Sequence, residues 1–176
     1  MYKSQRSICV SSMGVALLML AAAPAFAATK TSAFQVSATV LANCTIDSTN
    51  LAFGNYDPLA TGPVNQTSTV NVRCTLATPY TVGLNTGANA GSSGTAFANR
   101  SMVGPAGNQL KYQLYTDAGR TAIWGDGTNG TQTISGTGTG VLIASPQART
   151  VYGQIPGGQD VQPGAYSDTV VATITY

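Results

Sequence analysis

From position 34 the chain alternates. Phe34, Val36, Ala38 and Val40 are apolar, and Gln35, Ser37 and Thr39 between them are polar, a period-two pattern that predicts a half-buried β-strand. The same period returns at residues 68–74, with Val70, Val72 and Cys74 on one face, and at 80–84, with Tyr80, Val82 and Leu84 together. Leu110, Tyr112 and Leu114 share a side of 110–115, and Val170, Ala172, Ile174 and Tyr176 share a side of 169–176. Shorter strands are expected at 51–54, 131–135, 140–144 and 150–155, with Ile123-Trp124 leading into a turn. Asp57-Pro58, Gly125-Asp126-Gly127 and a polar, Gly-rich stretch from Asn85 to about Asn99 supply the turns and loops. No segment sustains a helical period. Short strands broken by Gly, Pro and Asn-Gly predict an all-β sandwich, with a barrel as the structural alternative. The last strand runs to Tyr176, and an apolar-faced edge strand there is either tolerated or covered by a partner.

The first 27 residues fall outside this pattern. Lys3 and Arg6 precede a short apolar run at 15–23, and Ala25-Phe26-Ala27 fits a small-x-small cleavage site, which together read as a secretory signal peptide. The run is well short of the ~20 residues of a spanning helix, and no later stretch is apolar enough to span a bilayer, so stable membrane insertion is not expected. Cleavage at Ala27 or Ala28 leaves one domain, with residues 28–43 ahead of Cys44 and a β-domain over 44–176.

The precursor's net charge of +2 resides in that leader. After it, Lys30, Arg73, Arg100, Lys111, Arg120 and Arg149 balance Asp47, Asp57, Asp117, Asp126, Asp160 and Asp168. No basic patch is available for phosphates, which argues against a nucleic-acid partner. Cys9 leaves with the leader, and Cys44 and Cys74 remain. An even pair in an exported chain suggests a disulfide; a metal site is the alternative, but two cysteines in a chain without histidine make a poor ligand set.

Catalysis has little to stand on. The chain contains neither His nor Glu, so the common general bases are missing, paired cysteines offer no thiolate, and no motif frames Lys30 or Lys111 for Ser–Lys chemistry. The expectation is a non-enzyme without cofactor or metal. Residues 124–130, Trp-Gly-Asp-Gly-Thr-Asn-Gly, invite a calcium reading but lack the spaced acids and closing glutamate of an EF-hand loop. A turn beside a half-buried Trp124 accounts for them. The Asn-x-Ser/Thr triplets at Asn65, Asn99 and Asn129 read as chance matches in a Ser/Thr/Asn-rich chain.

A succession of short motifs carries a resemblance. Leu51-x-Phe53-Gly54-x-Tyr56-Asp57 is followed by Val72-x-Cys74-Thr75 and Pro79-Tyr80-x-Val82-x-Leu84; then come Arg100-x-Met102, Leu110-x-Tyr112-x-Leu114-Tyr115-x-Asp117 and Trp124-Gly125-Asp126-Gly127. The end adds Val151-Tyr152-Gly153-x-Ile155-Pro156, Gly158-Gln159 and Gly164-x-Tyr166-x-Asp168-Thr169-Val170. In this order the chain resembles the spore coat protein U domain family, shared with subunits of archaic chaperone–usher pili.

The resemblance implies an incomplete immunoglobulin-like sandwich of six strands, lacking its last strand and completed by a donor strand. It implies a periplasmic chaperone that fills the gap during export, an outer-membrane usher, and other pilin subunits in a head-to-tail polymer formed by donor-strand exchange. It places the donor strand just before the first cysteine, at Phe34, Val36, Ala38 and Val40, whose burial in a partner's groove would contribute roughly 5–9 kcal/mol gross. Val170, Ala172, Ile174 and Tyr176 are expected to border the groove and meet the chaperone. The function expected is a surface pilus subunit for adhesion and biofilm formation. The alternatives are a secreted spore-coat or matrix protein, a carbohydrate-binding adhesin module, and a monomer closed by its own N-terminus.

Overall fold

The structure is a computed structural model that describes residues 26–90, 96–142 and 146–176. The leader expected over 1–27 lies outside these residues except for its last two positions, and so do residues 143 and 144 of the strand expected over 140–144. Residues 1–38 form a unit separate from residues 39–176. In its described part, 26–38, every residue is exposed and none belongs to a strand or helix.

In the second unit, alternation converts into strands that turn one face to the core. β1 is Cys44–Ser48, β2 Val64–Cys74, β3 Pro79–Leu84, β4 Ser101–Val103, β5 Gln109–Lys111, β6 Gln113–Tyr115, β7 Ile134–Thr137, β8 Gln147–Ile155 and β9 Ala172–Thr175. One sheet has the order β1-β2-β8-β6, a second β7-β3-β9, and β4-β5 form a small ribbon. All named pairings are antiparallel. The first order is the A-B-E-D sheet of an immunoglobulin sandwich, and β3-β9 supply C and F of the second sheet. The G strand that should follow F has no counterpart among the described residues, so the fold is all-β, immunoglobulin-like and open.

The inner faces follow the expected periodicity. Val70, Val72 and Cys74 of β2, Tyr80, Val82 and Leu84 of β3, Leu114 of β6 and Val151 and Ile155 of β8 are buried together with Leu110, Tyr112 and Trp124. Trp124 is completely buried, rather than half-buried as the turn chemistry implied, because its indole N–H donates to the Val82 carbonyl at 3.0 Å and ties the 124–130 turn to β3.

Three expected strands change form. The stretch 110–115 is divided at Tyr112, whose N–H donates to Arg100 O at 3.0 Å, so that β5 pairs with β4 while β6 pairs with β8. Residues 51–54 form no strand; Leu51 and Phe53 instead turn their side chains onto the core. The last strand covers Ala172–Thr175, and Tyr176 lies beyond it, 56% exposed. No helix among the described residues is long and apolar enough to cross a membrane.

Candidate functional site

The geometry of the site follows from the missing G strand. β1 is hydrogen-bonded to β2 on one edge, β9 to β3 on one edge, and neither has a strand on its other edge among the described residues. Those two free edges lie beside each other. Register orients them: Cys44 pairs with Cys74 at the end where β3 begins, and Thr175 pairs with Thr81 near that same end. β1 therefore runs away from this upper end and β9 runs toward it.

Below the stretch where they meet, the core is open. An upper groove of about 490 Å³ is bounded by Ser48, Thr49 and Asn50 on one wall and Ser167, Asp168, Thr169, Val170 and Ala172 on the other, over a floor of Val70, Leu84, Leu114 and Val151. A lower groove of about 560 Å³ continues between residues 51–58 and 161–166 over Leu110 and Ile155. Leu51, Phe53, Met102 and Tyr166 line both, so the two form one trough along the sandwich. Apolar floor and polar rims suit an extended strand with one apolar and one polar face.

Each wall is held by its own hydrogen bonds. On the β1 side, the Thr49 N–H donates to Thr69 O at 2.9 Å and the Ser68 hydroxyl donates to Thr49 O at 2.5 Å, extending the β1–β2 pairing. The Cys44–Cys74 disulfide closes its upper end. On the other side Asp168 organises the wall. Its Oδ1 accepts from Ala88 N–H at 2.9 Å, the Asn89 side-chain amide at 2.9 Å and Thr169 N–H at 2.8 Å, and its Oδ2 accepts from the Tyr112 hydroxyl at 2.7 Å. Gly87 is required beside it, since it sits at φ +90° and a Cβ there would collide with the Asp168 carboxylate. Burial pushes the Tyr112 phenol well above the usual tyrosine range, and the hydrogen bond to Asp168 adds to this.

Behind Tyr112 stands a buried cation. Arg100 is fully buried; it donates through Nη1 to Gln113 Oε1 at 2.9 Å and through Nη2 to Asn85 O at 2.6 Å and Trp124 O at 2.8 Å, with Phe97 under its guanidinium. Desolvation lowers its pKa to about 10, opposed by Tyr112 and Asp168. The network carries no nucleophile poised beside a base. No group of three or more His, Cys, Asp or Glu side chains is arranged to hold a metal among the described residues. The Asp126 carboxylate is engaged within its own turn, accepting from the Thr128 hydroxyl at 2.6 Å and N–H at 2.8 Å, and the hydroxyl chiefly holds it below the usual carboxylate range.

Of the residues singled out in the sequence, Val170 and Ala172 line the trough, Ile174 packs on the core above it, and Tyr176 lies outside it. Phe34, Val36 and Val40 are 87%, 83% and 87% exposed, and Ala38 is exposed with them. Periodicity also reached Val70, Leu84, Tyr112 and Leu114 of the trough. Phe53, Met102 and Tyr166 come from three further segments that only the tertiary fold brings together. Their signal lay in the motif order, in Leu51-x-Phe53, Arg100-x-Met102 and Gly164-x-Tyr166.

Fold and site thus define an immunoglobulin-like domain in which no strand fills the G position among the described residues. The chain belongs to the Spore Coat Protein U domain family, which it matches over residues 30–173. That span begins ahead of Phe34. The chain is 35% identical over 179 residues to Protein U of Myxococcus xanthus, covering 95% of this chain and 96% of that protein. Among solved structures it is similar to the CsuC–CsuE chaperone–tip adhesion subunit pre-assembly complex from the archaic chaperone-usher Csu pili of Acinetobacter baumannii, at 26% identity and a TM-score of 0.49, covering 78% of this chain and 41% of that one. It is also similar to the E. coli Hda pilus minor tip subunit, HdaB, at 19% identity and a TM-score of 0.37, covering 74% and 78%.

Proposed function

We propose that this chain is a non-catalytic structural subunit of a surface pilus, exported through the periplasm, held there by a chaperone, and polymerised at an outer-membrane usher by donor-strand exchange, in the service of adhesion and biofilm formation. The observation that carries this is the trough that runs from the Ser48 end of β1 and the residues leading into β9 down to the lower end of the sandwich, an apolar core uncovered where a G strand belongs. The segment 34–40, alternating and fully exposed, is the matching piece: Phe34, Val36, Ala38 and Val40 face the floor of a neighbour's trough, and Gln35, Ser37 and Thr39 face solvent.

Topology favours a neighbour over the chain itself. A G strand runs antiparallel to F, and β1 runs antiparallel to β9, so a donor in that orientation runs parallel to β1. The chain's own segment would then end low in the trough. Only residues 41–43 would remain to climb back to Cys44 at the top, and four Cα steps span at most ~14 Å. A self-inserted segment fits only as a hairpin onto β1, parallel to β9. A second copy has no such restriction, and head-to-tail insertion does not close, giving a filament.

The 35% identity to Protein U favours one other reading, a secreted coat-type structural protein. Expression in a periplasm with and without the chaperone, using the full chain and a variant lacking residues 28–41, separates the two. The pilus reading expects the truncated chain to keep its chaperone complex and to lose SDS-resistant ladders. A truncated chain that folds alone as a stable monomer ends the donor reading; a full chain that is monomeric without any chaperone favours the coat reading.

A further inference from the structure

We propose a second contact between consecutive copies of this chain, outside the trough: Leu59 at the lower mouth of the subunit that accepts the strand seats against Leu76 at the upper end of the subunit that donates it. This contact rests on the donor-strand reading above. Both leucines are large apolar side chains left in solvent, Leu59 at 92% and Leu76 at 77% exposure. Single exposed leucines are ordinary, and Leu142, 97% exposed, lies two residues past Gly140, whose N–H donates to Cys74 O at this same upper end; Leu76 is chosen because it follows Thr75, the residue that holds Asn43, and the connecting chain is short.

Leu59 stands next to Pro58, which lines the lower trough, at the end of the sandwich where Val64 pairs with Ile155. Its loop is fixed: the Leu59 N–H donates to Asp57 Oδ1 at 2.9 Å, Ala60 N–H to Asp57 O at 3.1 Å, and Gly158 N–H to Ala60 O at 3.1 Å. Leu76 occupies the opposite end, in the turn between β2 and β3. That turn is fixed by Thr78 N–H donating to Thr75 O at 3.1 Å and Ala77 N–H to Gly138 O at 2.9 Å.

The connection leaves little slack. Asn43 is clamped to the upper end twice, its N–H donating to the Thr75 hydroxyl at 3.2 Å and its carbonyl accepting from Thr75 N–H at 2.9 Å. A donor parallel to β1 leaves its neighbour's trough at the lower mouth by way of Val40. Between Val40 and the anchored Asn43 stand only Leu41 and Ala42, and three Cα steps reach at most ~11 Å. The lower mouth of one copy and the upper end of the next are therefore within side-chain reach. Leu41, 78% exposed, lies in the gap with Leu59 and Leu76 on either side of it. Three apolar side chains that are solvated in the single chain come out of water together, stiffening the junction that the donor strand alone would leave as a two-residue hinge.

The test uses the full chain, polymerised with its chaperone and usher, carrying Leu59→Cys and Leu76→Cys together. Mild oxidation is expected to convert most of the ladder to a form that survives boiling in SDS and collapses with reductant, while each single variant collapses on boiling. A double variant whose ladder persists in unheated SDS but falls to monomer on boiling after oxidation overturns the contact and leaves the donor-strand reading standing; absence of any ladder from the unsubstituted chain overturns both. Leu59→Ser is expected to polymerise normally but give filaments with a several-fold shorter persistence length by electron microscopy. An unchanged persistence length also overturns the proposal.

Discussion

Arg100 and Gln113 meet out of solvent, the guanidinium donating through Nη1 to Gln113 Oε1 at 2.9 Å. The amide works at both ends, since Oε1 also accepts from Leu114 N–H at 2.9 Å and Nε2 donates to Phe97 O at 2.7 Å. A buried arginine without a carboxylate in direct contact is tolerated because neutral acceptors take both Nη groups, while its Nε is left without a hydrogen-bond partner. Replacing Gln113 with leucine strips one acceptor from the charge and leaves the Phe97 carbonyl and the Leu114 N–H unpaired. Each buried group so orphaned costs about 1–3 kcal/mol, so Gln113→Leu is expected to destabilise the domain by at least roughly 3 kcal/mol in urea denaturation.

Tyr112 gives a pH signature. Its folded pKa is raised above the unfolded value of about 10, so below pH 10 its contribution to stability is fully present. Above pH 10 the unfolded chain ionises first, the folded chain holds the extra proton, and stability falls by up to ~1.4 kcal/mol per pH unit. Arg100, lowered to about 10, acts with the opposite sign in the same window. Tyr112→Phe removes the first effect and the hydrogen bond to Asp168. The variant is expected to be less stable than the parent at pH 8, with the difference shrinking as pH is raised past 10 in a denaturation series.

Gly153 on β8 faces the trough, where an added Cβ would stand 2.5 Å from Leu51 Cδ2 and 2.9 Å from Phe53 Cζ. Gly153→Val pushes both side chains over the floor. Overpacking of this kind costs about 1–3 kcal/mol. The expected result is slower uptake of a synthetic peptide of residues 28–43, followed by fluorescence anisotropy.

The Cys44–Cys74 bond joins residues 30 apart, and the chain-entropy relation assigns such a loop roughly 3–4 kcal/mol. It also holds the top of β1 against β2. Replacing both cysteines with alanine is expected to lower the denaturation midpoint of the domain accordingly. Ladder yield from the periplasm should fall with it, measured against the unsubstituted chain.

The strands were legible to the extent that their faces are simple. β2, β3 and β8 each have one face buried in a single core, so Val70, Val72, Tyr80, Val82, Val151 and Ile155 imprinted a period of two. The 110–115 stretch carried that imprint too. It did not reveal the break at Tyr112, because which half pairs with β4 and which with β8 depends on strands distant in sequence. Leu51 and Phe53 alternate like strand residues but lie across the core without a ladder, which periodicity does not distinguish.

Composition and pattern by themselves determined an all-β domain, the cysteine pair, the poverty of catalytic groups and the amphipathic segment ahead of Cys44. Those follow from side-chain chemistry and local period. The tertiary structure alone decided that the sandwich is open below the stretch where β1 and β9 meet, that Asp168 and Tyr112 secure one wall of the opening, and that Arg100 is buried behind them. Strand order, register and the pairing of distant segments fix those features, and none of them is written in the local alternation of any one strand.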